Sequence, residues 1–190
     1  MKLIILEGAR GSGKSTLARR MRESINYATL VNPTGFKDDG NIGLLKIKNY
    51  YDSWAMFLHQ TQDIQETLIF DRLFFTERVF SELYKSYDFS NVYENLCRNL
   101  TLFTNQIDLV YLTISDPKEL KIRLNRDKVQ FANVRESIEE TFKQQEKYDK
   151  VIEDFEDKYY TENKVRIHKI DSTYFTFDQL FNKVMEEIDR

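Results

Sequence analysis

The sequence predicts an α/β fold, with five strands in a parallel sheet and helices on both of its faces. Short apolar runs alternate along the chain with segments whose apolar residues recur at helical spacing. Successive strands separated by helices need crossover connections, which make the sheet parallel and cover both faces. The chain has 190 residues, 41% of them apolar, which suits one compact domain over residues 1–190.

Composition narrows the classes of function. The chain has 28 Lys and Arg residues and 31 Asp and Glu residues, a formal net charge of −3. This balance argues against a protein that coats duplex nucleic acid. A single cysteine, Cys97, excludes an internal disulfide and a cysteine-rich zinc site. The first apolar run is shorter than a signal peptide requires, and no run approaches the ~20 residues of a membrane span. We therefore expect a cytoplasmic protein with no membrane partner.

Strands and helices alternate in the first half of the chain. Lys2–Leu6 is a nearly continuous apolar run typical of a buried strand, and Tyr27–Val31 is a second one, ended by the turn-forming sequence Asn32-Pro33-Thr34-Gly35. Helical spacing predicts the helix Tyr50–Asp63, whereas Lys37–Gly43 has the character of an exposed loop. The other elements predicted here are the helix Lys14–Ser24, the strand Thr67–Phe70 and the helices Leu73–Tyr87 and Val92–Thr104.

The second half continues the alternation. Leu109–Ile114 is a clear apolar strand. A helix then starts with Asp116 as its cap, Pro117 in the first helical position and Glu119 closing a capping box. The remaining predicted elements are a long charged helix around Ser137–Asp157, the strand Val165–Ile170 and the helix Phe177–Ile188.

The segment Leu6–Thr16 reads LEGARGSGKST, which satisfies the pattern G-x-x-x-x-G-K-S/T between a strand and a helix. Its glycines let backbone N–H groups point inward at phosphate oxygens, and the helix that follows adds its positive end. Lys14, expected in an exposed loop, would reach the β and γ phosphates, and the Ser15 hydroxyl would bind Mg²⁺. The alternative is a plain glycine-rich turn. The predicted cradle consists of Gly8, Ala9, Arg10, Gly11, Ser12, Gly13, Lys14, Ser15 and Thr16.

An acidic residue and an arginine follow the third predicted strand. Asp71 comes directly after this strand and should emerge at the carboxyl edge of the sheet, close to the phosphate loop. A carboxylate there can orient Mg²⁺ or accept a proton from an attacking hydroxyl, and Arg72 can clamp a phosphate. The alternative is structural: Asp71 as a helix cap, with Arg72 in solvent.

These motifs resemble the deoxynucleoside kinase and thymidylate kinase superfamily of P-loop phosphotransferases. The resemblance rests on the phosphate loop, on the segment DRLFFTER that begins at Asp71, and on the Asn32-Pro33-Thr34-Gly35 turn. It implies a three-layer P-loop kinase fold with strand order 2-3-1-4-5 and a lid over about residues 118–135. Arg123 and Arg126 would serve as lid arginines beside Lys128, unless this segment is a solvated helix with a Glu119–Arg123 ion pair.

The resemblance also has departures, and these bear on the acceptor. Arg10 stands where thymidylate kinases usually carry an acidic residue, so it is either an arginine finger within the loop or a solvent-facing side chain. Asn32 replaces the glutamate that nucleoside kinases use as a base, so for a sugar hydroxyl as acceptor Asp71 is the main candidate base. Aromatic residues around the expected acceptor pocket could sandwich a nucleobase, although aromatics at helical spacing are more often core. The predicted substrate-binding residues are Trp54, Phe57, Phe74, Phe75 and Glu77.

Together these features predict a kinase of a nucleoside or nucleoside monophosphate that depends on ATP and Mg²⁺. One alternative is a kinase of polynucleotide ends or modified bases, against which the acidic balance argues. Another is a nucleotide-binding switch with no acceptor, but the sequence lacks the guanine-specific Asn-Lys-x-Asp pattern. Helices between Leu73 and Thr104 could form a homodimer seam, as in the resembled families. The predicted catalytic residues are Lys14, Asp71, Arg72, Arg123 and Arg126, with Ser15 and Asp71 as metal ligands.

Overall fold

The computed structural model describes residues 1–33, 35–126, 138–160 and 164–189. The strands are β1 (Lys2–Glu7), β2 (Ala28–Val31), β3 (Thr67–Asp71), β4 (Gln106–Thr113) and β5 (Val165–Asp171). The helices are α1 (Lys14–Ser24), α2 (Gly40–Thr61), α3 (Phe74–Tyr84), α4 (Ser90–Phe103), α5 (Pro117–Arg126), α6 (Ile138–Tyr159) and α7 (Phe177–Ile188).

All five strands are parallel and lie in the order β2-β3-β1-β4-β5, which confirms the predicted fold class and strand order. The central strand β1 pairs with β3 on one side and β4 on the other. Leu6 lies opposite Asp71 and Val110, so the carboxyl ends of the three central strands meet at one edge of the sheet. The loop between β1 and α1 leaves the sheet at this same edge.

Each face of the sheet has its own hydrophobic core. Leu3 and Ile5 of β1 point into the larger core, which packs against α2, α3, α4 and α6. Ile4 and Leu6 point into the smaller core, which packs against α1 and α7. This alternation of adjacent residues between two covered faces explains why the strands of the sequence are continuous apolar runs. In the described part of the chain, no helix is both long and apolar enough to cross a membrane.

The start of α2 differs from the prediction. α2 begins at Gly40, so the exposed loop predicted over Lys37–Gly43 is wrong in its second half. Asp39 caps the helix by accepting a hydrogen bond from Gly40 N at 2.7 Å, and the same Oδ1 accepts from Ser86 N at 2.8 Å. The second hydrogen bond joins segments far apart in sequence, so the local pattern could not reveal it.

The end of α3 differs for a related reason. α3 ends at Tyr84 rather than at Tyr87. The Lys85 side chain instead reaches back to the loop before α2, where it donates to the carbonyl oxygens of Phe36 at 3.1 Å and Asp38 at 2.7 Å. The loops before α2 and after α3 therefore fix one another.

Candidate functional site

The loop between β1 and α1 contains three glycines with positive φ, Gly8, Gly11 and Gly13. Gly8 has φ 139°, and a Cβ there would lie 2.2 Å from the carbonyl oxygen of Leu112 on the neighbouring strand. Gly13, with φ 97°, is the N-cap of α1. Both positions exclude residues with a side chain, which explains the glycines of the motif. The N-terminus of α1 thus follows directly from a loop that bends at its glycines.

Lys14 is the first residue of α1 and is buried, with 3% of its surface exposed, so the expectation that it lies exposed is wrong. Its Nζ donates to the carbonyl oxygen of Ala9 at 2.9 Å and to Ser12 Oγ at 3.4 Å. Burial, reinforced by the charge of Arg72, lowers the pKa of Lys14 to about 7. The ammonium is therefore short of negative charge, which a bound anion would supply.

The other residues of this segment differ in how much of their surface is exposed. Ala9 and Ser12 are buried beneath it, whereas Ser15 and Thr16 are exposed in the first turn of α1. Arg10 is partly exposed. The Ser15 hydroxyl is therefore accessible at the positive end of the helix, where the sequence motif requires it.

Asp71 ends β3 beside the phosphate loop and is 7% exposed. Its Oδ1 is buried and has no hydrogen-bond partner. The N-cap of α3 is Leu73, so the alternative role of Asp71 as a helix cap is wrong. The charges of Asp71 and Arg72 both act on Lys14, which shows that the structure brings the three together. An unpaired buried carboxylate oxygen is costly and is typical of a binding position.

A further carboxylate, Glu7, lies in the site and was not identified from the sequence. It is the last residue of β1 and is fully buried. Its Oε1 accepts from Leu73 N at 2.7 Å and its Oε2 from Thr76 Oγ1 at 2.8 Å. Burial raises the pKa of Glu7 to about 7, although these hydrogen bonds and the Lys14 charge oppose the shift. The available signal was its position directly before Gly8, at the end of a buried strand.

Arg123 lies on α5 and is fully engaged by the protein. Its Nε donates to Glu119 Oε1 at 2.8 Å, as the alternative interpretation anticipated. Its NH1 donates to the Gly11 carbonyl at 3.2 Å and to Ser172 Oγ at 2.9 Å, and its NH2 donates to the carbonyls of Ser172 and Thr173. Arg123 therefore connects the phosphate loop to the segment after β5.

Only part of the predicted lid lies within the described residues. Arg126, the last residue of α5, is exposed. Residues 127–135 of the predicted lid, including Lys128, lie outside the described residues. The two predicted lid arginines thus differ: the guanidinium of Arg123 is held in place, and that of Arg126 faces solvent.

The predicted substrate-binding residues separate into three groups. Phe74 and Phe75, 3% and 0% exposed, stack on each other at a centroid distance of 4.9 Å within the larger core. Trp54 and Phe57 lie on α2, their rings 5.6 Å apart and edge to face. Glu77 is 6% exposed, and burial raises its pKa although Tyr87 donates a hydrogen bond to Oε1. Its Oε2 faces Gly35, at 3.9 Å from where a Cβ would stand.

Comparison with known proteins supports the fold. No family model and no curated protein matches the chain. Among solved structures, the YorR protein from Bacillus subtilis, in complex with phosphorylated GDP, has 18% identity and a TM-score of 0.69, over 99% of this chain and 96% of that one. A deoxyadenosine kinase from M. mycoides with bound dATP has 17% identity and a TM-score of 0.60, over all of both chains.

A third similar structure is the thymidylate kinase from Candida albicans, with 20% identity and a TM-score of 0.54, over 99% of this chain and 91% of that one. The chain has the fold of P-loop nucleoside and nucleotide kinases. At these identities the likeness concerns the fold, and the chemistry has to be argued from the residues of this chain.

Proposed function

We propose that the protein is a phosphotransferase that uses ATP and Mg²⁺ to phosphorylate a nucleoside or a nucleoside monophosphate. The observation that carries this proposal is the pairing of a buried Lys14 in a glycine-lined phosphate loop with the unpartnered Oδ1 of Asp71 at the same edge of the sheet. A donor phosphate and an acceptor can meet between these two groups. The similarity of fold to two kinases of nucleosides and nucleotides adds support.

The residues at this edge fit Mg²⁺. The ion usually takes one or two protein oxygens together with substrate phosphates rather than a complete protein cage. The exposed Ser15 hydroxyl and the unpaired Asp71 Oδ1 are oxygen ligands of this kind. The described residues contain no cluster of three or more His, Cys, Asp or Glu that could hold a metal, which agrees with an ion that arrives with the nucleotide. When bound, it would neutralise charge on the phosphates.

The side chains divide the remaining work. Lys14 regains its full charge when phosphate oxygens replace the carbonyl that it now contacts, and it then stabilises the transferring group. Asp71 orients the metal or accepts the proton of the acceptor hydroxyl. Arg72 and the exposed Arg126 supply positive charge to the phosphoryl group in flight. Arg123 acts from its fixed position against the carbonyl of Gly11.

The acceptor is proposed to bind between α2 and α3. Glu77 offers a largely buried carboxyl, whose pKa burial raises, as a hydrogen-bonding group for the edge of a nucleobase. On α2, Phe57 is 38% exposed and could stack on a base, whereas Trp54 packs beside it and against Phe70 of the core. Phe74 and Phe75 belong to the larger core and would not contact the base directly.

The direct experiment incubates the protein and Mg²⁺ with γ-labelled ATP, and in parallel with γ-labelled GTP. The acceptors are nucleosides, their monophosphates and a single-stranded DNA oligonucleotide. The proposal predicts transfer to at least one nucleoside or monophosphate and none when Mg²⁺ is chelated. Transfer to the oligonucleotide alone would indicate a polynucleotide kinase instead. Hydrolysis or binding without any acceptor would indicate a nucleotide-dependent switch.

A further inference from the structure

The backbone at Arg72 is held in an uncommon conformation. Arg72 has φ 76°, in the left-handed region that residues with a Cβ rarely adopt. Such conformations persist only where the surroundings fix them, and they concentrate at functional sites. Arg72 follows Asp71 directly, so its backbone sets the direction of both side chains at the carboxyl edge of the sheet.

Two consecutive hydrogen bonds from the end of β1 hold this turn. Arg72 N donates to the carbonyl oxygen of Leu6 at 3.0 Å, which continues the sheet pairing by one residue. Leu73 N then donates to Glu7 Oε1 at 2.7 Å. The second acceptor is a side chain, so the connection between the end of β1 and the turn extends one residue past the last backbone hydrogen bond of the two strands. Glu7 therefore determines how β3 turns away from the sheet.

The Glu7 carboxylate is itself held in one orientation. Its second oxygen accepts from Thr76 Oγ1 at 2.8 Å, and Thr76 Oγ1 lies 2.7 Å from the hydroxyl of Tyr148 on α6. These contacts are all buried or nearly so, and both donors to Glu7 are uncharged. Burying a carboxyl whose direct hydrogen-bond donors are neutral is unfavourable, so the position is expected to need that acceptor. A role in holding the turn supplies such a need.

We propose that Glu7 is a positioning residue: it accepts the Leu73 amide and so aims Asp71 and Arg72 at the phosphate loop. This inference rests on the proposed function, because Asp71 and Arg72 are assigned their roles there. Glu7 acts as a hydrogen-bond acceptor at a fixed position, and its charge is not needed for this role. A misplacement of catalytic groups by about 1 Å lowers rates by up to about 10²-fold.

Two conservative substitutions separate the effect of the acceptor's position from the effect of its charge. Glu7→Gln keeps an acceptor oxygen at the same distance and removes the charge. Glu7→Asp keeps the charge and withdraws the acceptor by about one carbon–carbon bond, ~1.5 Å. We expect Glu7→Asp to lower kcat by about 10- to 100-fold with the KM for ATP within about 3-fold, and Glu7→Gln to keep kcat within about 5-fold of the natural protein. Glu94→Ala, on α4 in an ion pair with Lys158 at 2.6 Å, is the control for an altered acidic residue elsewhere.

A second readout does not depend on catalysis. Hydrogen exchange at the Leu73 amide, followed by NMR, should be faster in Glu7→Asp and unchanged in Glu7→Gln and Glu94→Ala. A Leu73 amide that exchanges equally in all variants would overturn the proposal, as would a larger loss of kcat in Glu7→Gln than in Glu7→Asp. If the natural protein transfers phosphate to no acceptor, the proposed function fails, and the Leu73 amide alone decides whether Glu7 holds the turn.

Discussion

Two edges of the same sheet contain buried carboxylates with opposite electrostatic surroundings. At the amino edge, Asp108 is fully buried and has three nitrogen partners: Arg166 NH2 and His168 Nε2 each lie 2.8 Å from its Oδ1, and Lys2 Nζ lies 3.7 Å from its Oδ2. Burial alone would raise the pKa of Asp108, but the hydrogen bonds from His168 and Arg166 outweigh it and lower that pKa. This acid is satisfied within the protein.

At the carboxyl edge, the buried charged groups are not fully paired with groups of the protein. The pKa of Glu7 is raised and the pKa of Lys14 is lowered, each to about 7, and in both cases burial is the largest cause. Asp71 has a buried oxygen with no partner. The comparison indicates that the chain can pair a buried acid completely where the role is structural. At the carboxyl edge, charge is left unbalanced in the way expected of a site that awaits a charged ligand.

The largest expected effect is on catalysis at the carboxyl edge. Lys14→Ala should lower phosphoryl transfer by about 10² or more, because it removes the positive charge from the centre of the phosphate loop. Thermal stability should not fall much, since the ammonium is unfavourably buried before nucleotide binds. Steady-state kinetics and thermal unfolding of the same preparation measure both. Transfer at the natural rate would remove Lys14 from the mechanism.

At the amino edge we expect a substitution to lower stability and to leave phosphoryl transfer nearly unchanged. Asp108→Asn should lower the free energy of unfolding by about 2–3 kcal/mol, because it leaves the partly screened Arg166 without its buried partner. Phosphoryl transfer by the folded fraction at low temperature should stay within about 2-fold. Urea unfolding and initial rates at 10–15 °C provide the test. A stable but inactive Asp108→Asn variant would show that the two edges are not functionally distinct.

The sign of the pH dependence should also differ between the edges. Because the folded pKa of Glu7 is about 7 and its ordinary value is 4.5, the folded protein holds this proton more tightly, so stability falls as pH rises from 4.5 to 7. Glu7→Gln should remove this fall and raise the free energy of unfolding at pH 8 by about 2 kcal/mol, with little effect at pH 4.5. Urea titrations at both pH values measure it. Destabilisation at pH 8 would mean that the ionised carboxylate is favourably solvated.

Asp108→Asn gives the matched contrast for that experiment. Because the folded pKa of Asp108 is depressed, its contribution is present above its ordinary pKa of 3.8 and is lost as pH falls through the folded value. The variant should therefore lose most stability at neutral pH and least in acid. The same urea titrations reveal whether the two variants shift stability in opposite directions at pH 8.

The smallest expected effect concerns backbone strain. Tyr27 and Arg72 are the two residues other than glycine with positive φ in the described part of the chain, one near each edge of the sheet. Tyr27 has φ 57° and its side chain is 88% exposed, so Tyr27→Gly relieves strain and loses little packing. We expect a gain of about 0.5–1 kcal/mol in urea unfolding, with transfer unchanged. No gain would indicate that the Tyr27 ring makes favourable contacts that offset the strain.

The fold was predictable because local patterns and global topology agree. Buried strands occur as apolar runs, and the predicted cap Asp116 accepts a hydrogen bond from Lys118 N at 2.8 Å, so α5 starts at Pro117 as predicted. The boundaries of α2 and α3 were less predictable. They depend on hydrogen bonds from Ser86 and Lys85 to the segment before α2, and such contacts between distant segments leave no periodic signal.

The candidate site was predictable to the extent that it follows a motif. The phosphate loop and Asp71 have fixed positions relative to strands, so strand order alone places them together. The burial of Lys14 and the role of Glu7 were not predictable. Burial depends on how Arg72, Asp71 and the loop pack in three dimensions, and Glu7 contacts the Leu73 amide 66 positions away in sequence.

Proton uptake on nucleotide binding tests the central claim most directly. If unbalanced charge at the carboxyl edge awaits a triphosphate, bound phosphate should raise the pKa of Lys14 and also that of Glu7, so binding takes up protons. Calorimetric titration with ATP and Mg²⁺ at pH 8, in buffers that differ in ionisation enthalpy, should show uptake of about one proton, and Lys14→Ala should reduce it. Binding with no proton uptake, or no binding at millimolar nucleotide, would contradict the account.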